Sequence, residues 1–419
     1  MSTPRSDSAY AYWQEANTKF DYFMTSVTGA LAAYIGQSIH PARIGWNAES
    51  VALLALGLLV GSAVLGFLRI ELTVNLLSLI PQSMSRLSAT FWAMTALACS
   101  PHTRVEPPKP AEGAVAVTSG YQVVHGWPQL PPGELLGQVS GVGVDSRGTV
   151  IVFRRAQRSW ISDTLSTDPI EAPTILLFDD ASGRQLGAWG ARQFAMPHGL
   201  TVDGQDNVWV TDVALHQVFK FTRDGTLLLT LGERGVPGDD SVHFNRPTDV
   251  AVAPDGSFYV SDGYLNSRVV RFSKEGRYLF SWGRKGSRPG EFDLPHSIAR
   301  DAAGRVYVAD RSNARIQVFD SVGHFLTEWK GPELGRPWAV RVGSDGYLYV
   351  VDGGDQPTTP PDRARVLKLT RQGRVIESFG SFGNYDGQFV WPHAVAVAAD
   401  GTVFVGDVST GMRVQKFIH

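Results

Sequence analysis

From residue 119 onward the chain alternates apolar and polar positions in runs of four to six residues, broken at short intervals by Asp-Gly, Glu-Gly and similar pairs. Period-two alternation between glycine-bearing turns is the pattern of antiparallel hairpins, whose successive side chains face opposite sides of a sheet. One stretch shows the unit: Asp249 to Ala253 is strand-like, Asp255-Gly256 a turn, Ser257 to Ser261 a second strand, Val269 to Phe272 a third, Glu275-Gly276 a turn and Tyr278 to Trp282 a fourth. Five copies open on a residue followed by proline: Met196-Pro197-His198, Arg246-Pro247-Thr248, Leu294-Pro295-His296, Arg336-Pro337-Trp338 and Trp391-Pro392-His393. A sixth, without the proline, starts near Gln138-Val139-Ser140-Gly141 and runs through Val150 to Phe153 as far as Trp189-Gly190. Six four-stranded units with a period of roughly 40 to 50 residues predict an all-β, six-bladed β-propeller. The last copy stops at Val414-Gln415-Lys416-Phe417, one strand short, while Tyr121 to Val124 is strand-like ahead of the first. That leading strand is expected to complete the last blade and remove its open edge.

The first 118 residues follow another pattern. Val51 to Leu68 is an uncharged apolar run of 18 residues preceded by Trp46, which is the lower limit for a membrane span with an interfacial aromatic. Phe20 to Ile39 is more weakly apolar and reads as amphipathic or interfacial. Leu87 to Ala98 is too short to span and ends at Cys99, the only cysteine; Glu106-Pro107-Pro108-Lys109-Pro110 then has linker composition. Read from Met84, the stretch through Ala96-Leu-Ala-Cys99 resembles a bacterial lipoprotein signal with an imperfect cleavage box. The expected organisation is an α-helical membrane-anchor region over 1–100, a Pro-rich linker over 101–118 and the propeller over 119–419. A start at Met1 with two membrane segments and a start at Met84 both put the propeller at a membrane, in a bacterial cell envelope with the propeller exported. Arg43 and Arg69 flank Val51 to Leu68 evenly, so the positive-inside rule selects no orientation.

Composition narrows the partners. A formal net charge of -2 supplies no basic field for nucleic acid. The 44 glycines and 24 prolines suit a turn-rich domain. About 300 residues of propeller can bury an ample core without disulfides.

Three of the repeat openings carry chemistry. His198, His296 and His393 follow proline at separations of 98 and 97 residues, in copies two, four and six. Equivalent positions in alternate blades lie about 120° apart at equal height, so the three imidazoles are expected to surround a near three-fold axis. Three histidines with an open fourth position form the arrangement of a catalytic zinc site. The intervening copies carry Ser140, Thr248 and Trp338 there. His216, His243 and His324 fall in strands, turns or loops, and His40, His102, His125 and His419 lie outside the repeats; these are read as structural or solvated. Asp212, Asp262, Asp310, Asp352 and Asp407 recur once per blade after the second strand, which favours a hydrogen-bonding turn role over metal binding.

The repeat resembles the NHL class, with Asp262 before Asn266-Ser267-Arg268 and Asp310 before Asn313-Ala314-Arg315. More narrowly, Gly137-Gln-Val-Ser-Gly-Val142, Met196-Pro-His-Gly-Leu200, Val210 to Lys220, His243-Phe with Arg246-Pro-Thr-Asp-Val250, and Ser261-Asp-Gly-Tyr264 resemble peptidyl-α-hydroxyglycine α-amidating lyase over residues 119 to 419. The resemblance implies cleavage of an N-acyl- or peptidyl-α-hydroxyglycine to a primary amide and glyoxylate, with zinc held by His198, His296 and His393. It makes Tyr264 the base that takes the α-hydroxyl proton. It also makes Arg155, with Arg154 as fallback, and Arg311 active-site arginines; Arg311 stands where a generic repeat has a small residue. A guanidinium suits capture of the substrate carboxylate. Arg268 and Arg315 belong to the generic repeat and are expected to pair with blade carboxylates.

This chain departs from the family pattern at three places. Eukaryotic members hold a structural calcium by two backbone carbonyls, corresponding to Val142 and Leu200, and an aspartate after the third histidine; here that residue is Ala394. Loss of the charged ligand argues against calcium. The methionine before the last Pro-His is Trp391, and the positions of a loop disulfide are Asn245 and Leu265. No copper monooxygenase domain fits the N-terminal region, so a separate hydroxylating enzyme is implied. Two other classes compete with the lyase reading. One is a membrane-tethered, non-catalytic propeller that binds a protein or glycan; the other is a lactonase-type hydrolase, which would use carboxylates around calcium rather than histidines.

Overall fold

The computed structural model describes residues 119–419 apart from residues 132, 161–164 and 356–362. The expected anchor over 1–100, with its apolar segments 51–68 and 87–98, and the linker over 101–118 lie outside the described residues. Among the described residues all helix-or-strand structure is strand, and no helix is long and apolar enough to cross a membrane.

Six four-stranded antiparallel sheets form the blades. A leading strand, β1 (Gln122–Val123), belongs to the last of them. Blade I holds β2 (Val139–Val144), β3 (Thr149–Arg154), β4 (Ile175–Asp179) and β5 (Gln185–Trp189); blade II holds β6 (Pro197–Val202), β7 (Val208–Asp212), β8 (Gln217–Phe221) and β9 (Leu227–Leu231). Blade III holds β10 (Pro247–Val252), β11 (Phe258–Asp262), β12 (Arg268–Phe272) and β13 (Tyr278–Trp282), and blade IV β14 (Pro295–Arg300), β15 (Val306–Asp310), β16 (Arg315–Phe319) and β17 (Phe325–Lys330). Blade V holds β18 (Pro337–Val342), β19 (Leu348–Asp352), β20 (Arg365–Leu369) and β21 (Val375–Phe379); blade VI holds β22 (Pro392–Val397), β23 (Val403–Asp407) and β24 (Arg413–Ile418).

β1 supplies the missing strand of blade VI, pairing Gln122 with Ile418 and Val123 with Phe417. The inner strands pack in a ring in which β22 contacts β2, so the closure expected from the truncated last repeat is present. Second strands such as β7 and β11 are buried along their whole length, whereas β9 and β13 are largely exposed. The core therefore lies between neighbouring blades, where side chains from facing sheets interdigitate.

Each inner strand carries one irregularity at the same place. The register shifts between Pro197 and Leu200, Pro247 and Asp249, Pro295 and Ser297, Pro337 and Ala339, Pro392 and Ala394, and Val139 and Gly141. A β-bulge leaves a residue off the ladder and re-aims its side chain. That residue is His198, Thr248, His296, Trp338, His393 or Ser140. Proline begins the bulge because it cannot donate to the ladder and is tolerated at the first residue of a strand.

Aspartates that end the second strand in five of the six blades hold these bulges from behind. Asp212 accepts from the amides of Ala195 and Met196, Asp310 from that of Asp293, and Asp407 from those of Val390 and Trp391. Each therefore fixes the chain immediately before a Pro-His pair. All five aspartates are fully buried, and Arg268 and Arg315 pair with Asp262 and Asp310 at 3.0 and 2.7 Å. These contacts bear out the structural reading of both sets. Breaking a buried pair leaves one charge uncompensated. Asp310→Ala is expected to lower the unfolding free energy by about 3–5 kcal/mol, read as a reduced denaturant midpoint; an unchanged midpoint would remove the aspartates from this role.

Candidate metal centre

The three bulges turn His198, His296 and His393 into the central channel, where they are 1, 2 and 5% exposed. Ring centroids are 4.7 Å apart for His198–His296 and His198–His393, and 4.9 Å for His296–His393. The near-equal triangle is the three-fold arrangement expected from their spacing. One ligand nitrogen from each lies within 4.8 Å of the other two, and no other such cluster occurs among the described residues.

Second contacts fix which nitrogen faces the axis. His198 Nδ1 is 2.8 Å from the Thr248 carbonyl, His296 Nδ1 2.6 Å from that of Trp338, and His393 Nδ1 2.8 Å from that of Ser140. Each histidine thus donates Nδ1–H to the bulged residue of the next blade. A bonded Nδ1–H leaves Nε2 as the lone-pair donor, which is how proteins orient metal-binding imidazoles. Gly199 allows the close approach this needs, because a Cβ there would lie 2.3 Å from the Thr248 carbonyl oxygen.

Burial keeps these rings neutral. His198 is pushed down to about 3 by desolvation and the nearby Arg155 guanidinium. His296 and His393 lie well below the ordinary imidazole range, chiefly through burial, with neighbouring histidines and guanidinium groups adding to it. His393 Nε2 is buried without a hydrogen-bond partner. Three neutral imidazoles aimed at one point, one with an orphaned lone pair, fit a borderline-soft cation such as zinc.

Tyr264 closes the fourth side. Its Oη is 3.0 Å from His198 Nε2 and 3.2 Å from His296 Nε2. The ring packs on Trp160, with centroids 4.7 Å apart. Burial pushes the phenol up, while the Arg311 and Arg155 guanidinium groups act in the opposite direction.

Arg155 is 3% exposed. It donates from Nε to the Pro197 carbonyl at 3.0 Å and from Nη1 to Gln138 Oε1 at 2.8 Å. Desolvation brings it down to about 10. The fallback Arg154 is also buried, and its guanidinium donates to the carbonyls of Pro173 and Leu135 and to Glu134. Arg311 lies with its guanidinium carbon 3.5 Å from the centroid of Trp338.

The two arginines occupy one repeat position. Arg155 N donates to Gln138 O and Arg311 N to Leu294 O, as Val213, Gly353 and Val408 do to Met196, Arg336 and Trp391. Blades I and IV are about 180° apart, so two cations face each other across the histidines. The clue was available in the sequence: they are the two basic residues directly after the second strand, where other blades carry Val213, Gly263, Gly353 and Val408.

The other singled-out residues are also placed. Val142 and Leu200 lie on β2 and β6, two residues beyond Ser140 and His198. The Leu200 carbonyl accepts from Arg341 Nη2 at 3.0 Å, and Ala394 brings no side-chain oxygen. Residues at the positions of the missing disulfide still meet, through a 3.3 Å bond from Leu265 N to Asn245 O. Trp391 sits 6.0 Å from Trp338, ring to ring.

Fold and site together define an NHL-repeat propeller with a three-histidine channel centre. Residues 194–221, 244–272 and 292–319 match the NHL repeat family. The chain is 40% identical over 302 residues to peptidyl-glycine alpha-amidating monooxygenase A of Xenopus laevis, covering 67% of this chain and 32% of that protein. It is 34% identical over 323 residues to peptidyl-alpha-hydroxyglycine alpha-amidating lyase 2 of Drosophila melanogaster, covering 71% and 75%. Human NHL repeat-containing protein 3 is 34% identical, over 71% of this chain and 84% of its own length. The chain belongs to the peptidyl-α-hydroxyglycine α-amidating lyase family of NHL-repeat propellers. It spans about a third of the length of the first vertebrate relatives.

Proposed function

We propose that the chain is a zinc-dependent carbon–nitrogen lyase that cleaves an N-acyl- or peptidyl-α-hydroxyglycine to a primary amide and glyoxylate. The observation that carries this reading is the placement of Tyr264 Oη within hydrogen-bond reach of two of three converging histidine Nε2 atoms, with two guanidinium groups acting on the same phenol. A non-catalytic binding propeller has no use for this set.

His198, His296 and His393 would hold the ion, which supplies Lewis acidity to a substrate oxygen. Tyr264 takes the proton of the α-hydroxyl. The C–O⁻ electrons become the aldehyde C=O as the C–N bond breaks; the bond pair goes to nitrogen, which is protonated to give the primary amide. No oxidant is required. Arg155 and Arg311 favour the phenolate and hold the carboxylate that leaves in glyoxylate. Their seating beside protein carbonyls and an aromatic face fixes them before substrate arrives.

Release of glyoxylate from N-benzoyl-α-hydroxyglycine tests the activity. Zinc-loaded protein that releases none refutes the lyase reading, and retention of zinc in that protein would leave the metal site standing. Arg311→Ala is expected to reduce kcat/KM by about 10²-fold, in the range seen on removing one preorganised charge-stabilising group. Arg154→Ala should leave kcat/KM within about threefold, because its bonds lie outside the centre. Equal losses would reverse the assignment.

The localisation belongs to the same proposal. Residues 51–68 and 87–98 would tether the exported propeller to a bacterial envelope membrane, and an independent hydroxylating enzyme would supply substrate. Recovery of the full chain entirely in the soluble fraction would overturn the tether.

A further inference from the structure

An arginine–aspartate ion pair lies in the channel beside the histidines. Arg341, on β18, reaches across to blade III, where Nη1 and Nη2 donate to Asp249 Oδ2 and Oδ1 at 2.7 and 3.1 Å. Nη2 also donates to the Leu200 carbonyl of blade II at 3.0 Å, and Nη1 lies 3.1 Å from Ser297 Oγ of blade IV. Asp249 is 3% exposed and in addition accepts from Ser297 Oγ at 2.7 Å and from the Ile298 amide. One guanidinium therefore joins four inner strands. Asp249 follows Thr248, whose carbonyl orients His198, and Ser297 follows His296.

The carbonyl that Arg341 binds is one that family resemblance assigns to calcium. The donor set does not fit calcium here. A hard divalent cation needs six to eight oxygens, some of them charged. Ala394 contributes none from its side chain, the Leu200 carbonyl faces a guanidinium, and Asp249, the nearby carboxylate, has both oxygens engaged by that guanidinium. A divalent ion would have to displace a bidentate ion pair and then lie beside the displaced positive charge.

We propose that Arg341 is a built-in channel cation that takes the place of calcium, clasping the strands that carry and orient His198 and His296, so that the propeller binds metal at its histidines alone. Removing Arg341 leaves Asp249 buried without its counter-charge, and adding a carboxylate at Ala394 rebuilds a calcium-type donor set from oxygen ligands.

The test uses full-chain, zinc-loaded protein and reads Tm and bound calcium. The wild type is expected to bind no calcium and to shift by less than about 1 °C in millimolar calcium, since a ligand stabilises only the state it binds. Arg341→Met is expected to lose on the order of 5 °C. Arg341→Lys, which keeps the charge but not the forked geometry, should lose less. Arg341→Met combined with Ala394→Asp should recover at least half of the loss, and only with calcium present. A wild-type Tm that rises by several degrees with calcium overturns the proposal, as does a double variant indifferent to calcium. Should Arg341→Met not fold, the wild-type titration and the lysine variant decide alone. None of these readouts depends on glyoxylate release, so failure here is distinct from failure of the lyase reading.

Discussion

His296→Ala is expected to lower bound zinc from about one ion per chain to a small fraction and to reduce glyoxylate release at least about a thousandfold, equivalent to ~4 kcal/mol of barrier. The size follows from geometry. Three neutral imidazoles share one ion, and removing one leaves two protein ligands where catalytic zinc sites use three. Among the described residues, the His296 ring makes hydrogen bonds only to Tyr264 and, from Nδ1, to the Trp338 carbonyl. Its loss strands one buried acceptor, a cost of about 1–3 kcal/mol that a propeller of this size should survive. His243→Ala is the matched control, because that ring pairs with Asp240 in a loop away from the channel. Zinc content and activity should stay at wild-type levels in the control and collapse in His296→Ala. A His296→Ala protein that keeps its zinc would remove the metal centre, whatever its activity.

Much of this site could be read from the chain because a propeller converts sequence separation into angle. Separations of 98 and 97 residues became three rings about 4.7–4.9 Å apart, and the truncated last repeat correctly implied that β1 joins β24. Strand limits were less exact: the run begun at Asp249 starts at Pro247 in the structure, and the one ended at Ser261 reaches Asp262. Alternation marks which residues are buried but not where pairing begins. The bulge after each proline was invisible for the same reason, since only the pairing register reveals that His198, Thr248 and their equivalents leave the ladder. Nor did any spacing rule connect Asp249 with Arg341, which sit in different blades and meet only because the ring closes. The position of Arg155 and Arg311 after a second strand is legible in the sequence, and the backbone fixes their equivalence, since Gln138 and Leu294 accept from them in the same way.

Tyr264→Phe should separate binding from chemistry. The variant keeps the ring, and with it the packing against Trp160 and the apolar group around Met196 and Leu215. It removes only the oxygen that lies between His198 and His296. Zinc should remain at about one ion per chain, because none of the three Nδ1 bonds to Thr248, Trp338 and Ser140 involves that oxygen. KM should change little, since Arg155 and Arg311 still meet the substrate carboxylate. Turnover should fall by about 10²–10⁴-fold, the usual contribution of a positioned proton acceptor. A structural tyrosine predicts the opposite split, with Tm and zinc content falling together and kcat per bound zinc unchanged. Full activity in Tyr264→Phe would refute the base assignment and shift the proton acceptor to another group in the centre. Loss of kcat at constant zinc and constant Tm would instead tie bond cleavage to the Tyr264 hydroxyl, which meets two of the three imidazoles.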